Sequence, residues 1–388
     1  MIKSLVIKSS VIESSGADFQ LMARAIQLAQ RGIFTTHPNP RVGCVITLQG
    51  EIVGEGWHMR AGEPHAEIHA LNAAGEKSVG ATAYVTLEPC SHHGRTAPCA
   101  DALIKAGVRR VVVAMQDPNP RVAGEGVARL KAAGIEVDVG MLQAEAAALN
   151  PGFISRLIRG RPFVRCKLAM SLDGRTAMAS GESKWITSLA ARQDVQRLRA
   201  RSDAIMTGIG TVLADDPQLD VRPEGIDELH VVLAGEALRP PMRVIVDSTL
   251  RTPMVSRVLS LPGKKLIATA VEYSEILDTL RQKRVNVCRF AGSGKRVNLP
   301  LLVEYLAALE INELMVEAGP VLSGAMLQAG LIDELIIYMA PHLMGDQAQG
   351  LMALPGLEKM SQRVLFKTKE IRAVGDDWRI TLHPAAAS

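Results

Sequence analysis

HAEIHALNAAGEKSVGATAYVTLEPCSHHGRTAPC, residues 65–99, is the stretch on which the reading of this chain turns. His65 to Ala74 reads as a helix, ATAYVTL (Ala81 to Leu87) as a strand, and CADALIKAG (Cys99 to Gly107) as a second helix ended by glycine. His65, Cys90 and Cys99 thus stand beside element ends that can converge in space. One imidazole and two thiolates suit zinc, and three protein ligands leave a fourth position for a water whose pKa zinc lowers toward neutrality. Glu67 follows His65 by two residues, at the start of the same helix. From there it can reach that water without binding the metal, and so can shuttle protons.

The order H-x-E, then P-C, then C is the signature of zinc deaminases, with one departure. Eight residues, Ser91 to Pro98, separate the two cysteines where two are usual. The longer loop can still bring both thiolates to one ion, and it adds His92, His93 and Arg95 near the metal. A structural zinc with His92 or His93 as fourth ligand is the sharpest rival, but it leaves Glu67 without a task. Upstream, Pro38 and Pro40 bound a loop that perches Asn39, whose amide can donate to and accept from a heteroaromatic ring edge. An asparagine serving its own turn reads equally well there. His58 reads as a substrate neighbour rather than a ligand.

Around this stretch, helices and strands alternate from Asp18 to Gly152, beginning with a helix that Asp18 can cap. VGCVIT and EIVGEGW form a hairpin about Gln49-Gly50. A second α/β run starts near Pro162 and becomes strand-rich from Leu331. The expected organisation is an N-terminal extension over 1–17, a first domain over 18–152, a linker over 153–161 and a second domain over 162–388. A chain of 388 residues is long enough for two such cores. The net charge of +4 is spread along the chain and only 3% of residues are aromatic, which argues against a nucleic-acid partner. No apolar run is long enough for a membrane helix, and residues 1–17 lack the pattern of a secretory signal. Five sparse cysteines imply a reducing compartment, hence the cytoplasm, and Cys44, Cys166 and Cys288 read as small buried hydrophobes.

NPRVG, PHAE, TLEPCSHHGRTAPC, KLAMSLDGRTA, SDAIMTGIGTVLADDPQL and MVEAGP together resemble the bifunctional riboflavin-biosynthesis deaminase/reductase family, over nearly the whole chain. Ala97 departs from the proline that family often has there. The resemblance implies an α/β chain in which a cytidine-deaminase-like three-layer domain precedes a dihydrofolate-reductase-like domain. The first would deaminate 2,5-diamino-6-(5-phosphoribosylamino)pyrimidin-4-one with Zn2+ held by His65, Cys90 and Cys99, with Glu67 catalytic and Asn39 and His58 on the pyrimidine. The second would reduce the ribosyl group to ribityl with NADPH. Cofactor contacts would fall at Ala169, Trp185, Thr211, Asp215 and Gly319, and substrate contacts at Ser183, Arg199, Leu219, Arg222 and Glu317. The family also implies a homo-oligomer acting on a small phosphorylated pyrimidine.

Read from the residues alone, Gly208 to Thr211 and Glu317 to Pro320 are glycine turns that let backbone N–H groups approach phosphate. Neither is the dinucleotide fingerprint. Arg199 and Arg222 offer guanidinium forks for a 5′-phosphate. Asp215-Asp216-Pro217 could present a carboxylate to sugar hydroxyls or simply stop a helix. Lys167 and Asp173 are further candidates. A nucleic-acid base deaminase with an accessory domain shares the zinc chemistry and is the main alternative. A metal-stabilised scaffold without turnover is the other.

Overall fold

The computed structural model describes residues 16–91, 98–120, 122–223, 226, 238–272 and 276–385. Most of the expected extension, residues 1–15, lies outside them. The described residues fall into two compact units, one holding 16–33 and those of Arg41–Leu149, the other Phe34–Pro40 and those of 150–385.

In the first unit, α1 (Gly16–Gln30) precedes the hairpin β1 (Gly43–Leu48) and β2 (Glu51–Trp57), turned by Gln49 and Gly50, both at positive φ. Then come α2 (Ala66–Ala74), β3 (Thr82–Val85), α3 (Cys99–Lys105), β4 (Arg110–Val113), α4 (Glu125–Ala132), β5 (Glu136–Val139) and α5 (Gln143–Leu149). The sheet order is β2-β1-β3-β4-β5, with β3, β4 and β5 parallel and the hairpin antiparallel. Gly54 and Gly56 on β2 let α2 lie directly on the sheet, since a Cβ there would stand 2.2 and 2.3 Å from the carbonyls of Ala70 and Ala66. Gly43 points to the other face and admits α1 in the same way. Helices therefore cover both faces, which makes three layers. Asp18 does not cap α1. It lies inside the first turn, buried, and its carboxylate accepts from Tyr84 Oη and from Arg110.

The second unit carries a sheet ordered β11-β10-β9-β8-β12-β6-β13-β16-β15. Its strands are β6 (Phe163–Ser171), β8 (Ala204–Gly208), β9 (Met242–Val246), β10 (Lys265–Thr269), β11 (Asn286–Arg289), β12 (Glu313–Val316), β13 (Glu334–Ala340), β15 (Phe366–Val374) and β16 (Asp377–Pro384). Short β7 (Arg175–Ala177) and β14 (Gln349–Gly350) pair separately. From β11 to β13 every neighbouring pair is parallel, and β16 and β15 add an antiparallel edge. Alternate residues of one strand enter different cores: Ala204 and Met206 on one face, Ile205 on the other. Burial on both faces explains the nearly continuous apolar runs of these strands.

The expected linker over 153–161 is instead most of a helix, α6 (Pro151–Arg159). Pro151 occupies its first turn and Gly160, at φ 66°, its C-cap, so the two punctuate the helix ends. Gly152 is needed for close approach, as a Cβ there would meet Asn312 O at 2.5 Å. Cys44 and Cys166 are fully buried, and Cys288 is partly so. Among the described residues, no helix is long and apolar enough to cross a membrane.

Candidate active sites in the two units

In the first unit the end of β3 delivers Cys90, while His65 caps α2 and Cys99 opens α3. His65 Nδ1 lies 3.3 Å from Cys99 Sγ and 3.7 Å from Cys90 Sγ, and all three ligand atoms fall within 4.8 Å of one another. Among the described residues, no other His, Cys, Asp or Glu trio converges in this way. The two thiols are not equivalent. Hydrogen bonding from the Cys99 thiol, assisted by His65, pulls Cys90 down to about 4, whereas that same contact and burial push Cys99 well up. Two thiols and an imidazole at this spacing are the donor set that a soft divalent cation takes.

Glu67 is 3% exposed, and its Oε2 has no hydrogen-bond partner. Burial pushes its carboxyl up to about 7. An orphaned, buried carboxylate oxygen beside one nitrogen and two sulfurs fits a zinc site with an open position, since it has no internal role to satisfy it. His58 is buried with its ring 5.3 Å from that of His65, at 87°. Burial lowers its pKa to about 4, so the ring is neutral at pH 7 and can donate from Nδ1 to Pro64 O at 3.2 Å. Asn39 falls in the segment Phe34–Pro40, which groups with the second unit, and its N–H donates to Thr36 O at 2.8 Å. Within the first unit, the structure gathers His58 to the trio. His92, His93 and Arg95 lie outside the described residues.

Glu88 was not anticipated. It is 5% exposed, and its carboxylate accepts from the N–H groups of Asp117, Gly124 and Val127 at 3.0 to 3.1 Å. Arg129 on α4 donates to Ser91 O and pairs with Asp101 of α3. Both ends of the cysteine loop are held against α4 by these contacts. The donors to Glu88 are backbone groups 29 to 39 residues away, which no local pattern announces.

In the second unit a cavity of about 1180 Å³ opens at the carboxyl ends of β6, β8, β9 and β12. The chain passes from β6 to β8 and later returns to place β12 between them, so this is the switch point where open parallel sheets bind ligands. All ten expected contacts line it: Ala169, Trp185, Thr211, Asp215 and Gly319, with Ser183, Arg199, Leu219, Arg222 and Glu317. Leu219 does so at φ 49°, with its side chain in the core. Gly319 N–H donates to Thr211 Oγ1 at 3.2 Å, joining the two glycine turns. Asp215 lies 3.9 Å from Lys184 Nζ, and Asp216 ends its helix at φ 42°.

Arg199 is not an open fork. Its Nε and Nη2 donate to the two oxygens of Glu317 at 2.6 and 2.8 Å, and Nη1 to Asp220 O at 2.9 Å. A buried carboxylate needs such a partner, so the guanidinium is spent on Glu317. Lys167 also lines the cavity, and burial lowers its pKa against the pull of Glu317. Asp173 is elsewhere: it accepts from Met344 and Gly345 N–H and fastens that turn.

A family model described as the RibD C-terminal domain matches residues 162–380, and one for the cytidine and deoxycytidylate deaminase zinc-binding region matches residues 16–115. The riboflavin biosynthesis protein RibD of Escherichia coli is 56% identical over 372 residues, covering 95% of this chain and all of that one. A solved Acinetobacter baumannii RibD is 47% identical with a TM-score of 0.87, over 95% of this chain and 99% of that one. A Thermotoga maritima structure, named a diaminohydroxyphosphoribosylaminopyrimidine deaminase/5-amino-6-(5-phosphoribosylamino)uracil reductase, is 33% identical with a TM-score of 0.82, over the same shares.

Proposed function

The chain belongs to the RibD family of bifunctional riboflavin-biosynthesis deaminase/reductases, and on that premise we propose how its residues divide the two reactions. The family's cofactors are zinc and NADPH. His65, Cys90 and Cys99 hold the zinc, which when bound supplies Lewis-acid activation of water next to the aminopyrimidine. Glu67 takes the proton that the attacking water loses and returns it to the departing nitrogen, which leaves as ammonia. Its burial favours this, because a carboxyl poised near neutrality can carry a proton in either direction. His58, neutral and fixed by Pro64, orients the pyrimidine. Asn39 remains a proposed pyrimidine contact on the strength of the family resemblance alone.

In the second unit, NADPH supplies the hydride that reduces the ribosyl group. The turn at Gly208 to Thr211 would present backbone N–H groups to its phosphates, Gly319, whose own N–H is taken by Thr211 Oγ1, would leave room for close approach, and Trp185, Ala169 and Asp215 would stand beside it. Ser183, Leu219, Arg222 and Glu317 surround the sugar phosphate. Arg199 acts by holding Glu317 ionised and in place, and Lys167 sits where it can exchange a proton with the sugar. A cytoplasmic setting is supported by five cysteines that are all free. A homo-oligomer is supported by β15, an edge strand with five successive exposed residues, which would otherwise leave a long open edge.

The convergence of His65, Cys90 and Cys99 beside Glu67, one of whose buried oxygens lacks a hydrogen-bond partner, carries this reading. Its test is to supply 2,5-diamino-6-(5-phosphoribosylamino)pyrimidin-4-one and NADPH to the purified protein. Ammonia release followed by NADPH oxidation is expected. RNA or DNA oligonucleotides should release none, and ammonia from an oligonucleotide would instead support a nucleic-acid deaminase.

A further inference from the structure

Helix α7 (Leu189–Ala200) presents Arg192, Val195, Gln196 and Arg199 to the reductase cavity, the i, i+3, i+4, i+7 spacing of one helix face. Two of these residues grip the same stretch of chain. Arg199 Nη1 donates to Asp220 O at 2.9 Å, and Gln196 Oε1 accepts from Arg222 N–H at 3.0 Å. Leu219, just before, is 2% exposed and packs in one core with Val195 and Leu198 of α7. The backbone that carries Arg222 is therefore fastened to the helix. The same bond orients the Gln196 amide, because an N–H donor meets the carbonyl oxygen and turns the NH2 end to the other side. Gln196 is 5% exposed, and among the described residues its Nε2 donates to no protein atom. Nε2 is nevertheless not sealed in the core: it meets open space where Gln196 lines the cavity. Beside it, Arg199 is spent on Glu317, whereas the Arg222 guanidinium, among the described residues, makes no hydrogen bond or ion pair.

Resting on the reading of this unit as a reductase of the phosphoribosylamino-pyrimidine, we propose that Gln196 is a further substrate-contact residue, its Nε2 donating to the 5′-phosphate beside Arg222. The chemistry selects that end of the substrate. An NH2 group only donates, and so wants a partner that only accepts. A phosphate monoester carries about −1.5 to −2 charge at neutral pH and offers three acceptor oxygens. Sugar hydroxyls donate as well as accept, and they suit Glu317, which as a carboxylate only accepts. The wall thus sorts the ligand, with the phosphate toward the donors Gln196 and Arg222 and the hydroxyls toward Glu317. Because Arg222 N–H already fixes the amide, little side-chain freedom is lost when the phosphate arrives. A neutral amide also adds a donor without adding a second charge beside the Arg199–Glu317 pair. Gln196 lies in the run DVQRLRA, where no local pattern sets it apart from an ordinary helix residue.

The test removes the donor and keeps the acceptor. Gln196→Glu leaves an oxygen for Arg222 N–H and replaces the NH2 group with a second, charged oxygen. The full-length protein is followed by NADPH oxidation with 5-amino-6-(5-phosphoribosylamino)uracil, and its dephosphorylated counterpart is tested as substrate or as competing ligand. KM for the phosphorylated substrate should rise about tenfold or more with kcat within about threefold, as expected when a contact made equally in ground and transition states is lost. KM or Ki for the dephosphorylated compound, and NADPH affinity by fluorescence titration, should stay within about twofold. Gln196→Met, of similar length and uncharged, should show the same selectivity with a rise of about three- to fivefold, which decides the matter if the charged variant folds poorly. An equal rise for both compounds would overturn the assignment, because it would put Gln196 on the sugar or in the scaffold alone. So would unchanged KM values, or a loss confined to NADPH. If the unaltered protein oxidises no NADPH with the phosphorylated substrate, the reductase reading itself is overturned, a result distinct from all of these.

Discussion

In the first unit the metal trio comes from within 34 residues of sequence, and the carboxylate beside it has an oxygen with no partner. In the second, Arg199 and Glu317 stand 118 residues apart and satisfy each other with two hydrogen bonds. The first site keeps a buried acid uncommitted so that it can move protons. The second commits Arg199 and Glu317 to one another. Proton transfer and hydride transfer ask for different things: the former needs a titrating group near neutrality, the latter a rigid, oriented cleft.

The difference can be broken by removing the uncommitted acid. Glu67→Gln keeps the shape and deletes the proton carrier, so ammonia release should fall about 10³-fold with zinc content unchanged. A fall of less than about tenfold would deny Glu67 its role. A comparably large effect, on stability instead, is expected at Arg165, which is buried between Glu313 and Glu334. Arg165→Met strands two buried carboxylates and should cost about 3–5 kcal/mol in urea unfolding of the reductase unit.

The same cluster sets a pH dependence. Burial alone would raise Glu334, but the charges of Arg165, Lys369 and Arg201 outweigh it and hold it down at about 2. A depressed folded-state pKa stabilises fully above the unfolded value of 4.5, and that contribution is lost as pH falls toward 2. Unfolding followed from pH 6 to pH 3 should therefore show a progressive loss of no more than about 3 kcal/mol from this group. A flat profile would mean that Glu334 titrates normally. At the cavity itself, Glu317→Gln should lower kcat/KM for the reduction about 10²-fold, because Arg199 loses its charged partner. The smallest effect is expected at Trp185, which is 70% exposed with the Arg192 guanidinium 4.5 Å over its ring. Trp185→Ala should weaken NADPH binding only about three- to fivefold, as an exposed cation–π contact is worth about 0.5–1 kcal/mol.

The contrast also explains what could be read in advance. The convergence of His65, Cys90 and Cys99 was legible because each sits next to a short element whose pattern is local, and because imidazole and thiols in that order have few other uses. Strands buried on both faces announced the second unit by their apolar runs. What escaped was the pairing of distant groups. Arg199 looked like an open phosphate fork because Glu317 is remote in sequence. Glu88 looked like an ordinary residue before Pro89, since its partners are backbone N–H groups. Asp18 resembled a cap until Tyr84 and Arg110 claimed its carboxylate. The linker expected over 153–161 is mostly helix, with Pro151 and Gly160 marking its two ends.

The account depends most on how zinc is bound, and X-ray absorption at the zinc edge of the purified protein addresses that directly. Two sulfur scatterers at about 2.3 Å, one imidazole and one light atom from solvent are predicted. A second imidazole in the shell, filling the corner that Glu67 is proposed to serve, would contradict it.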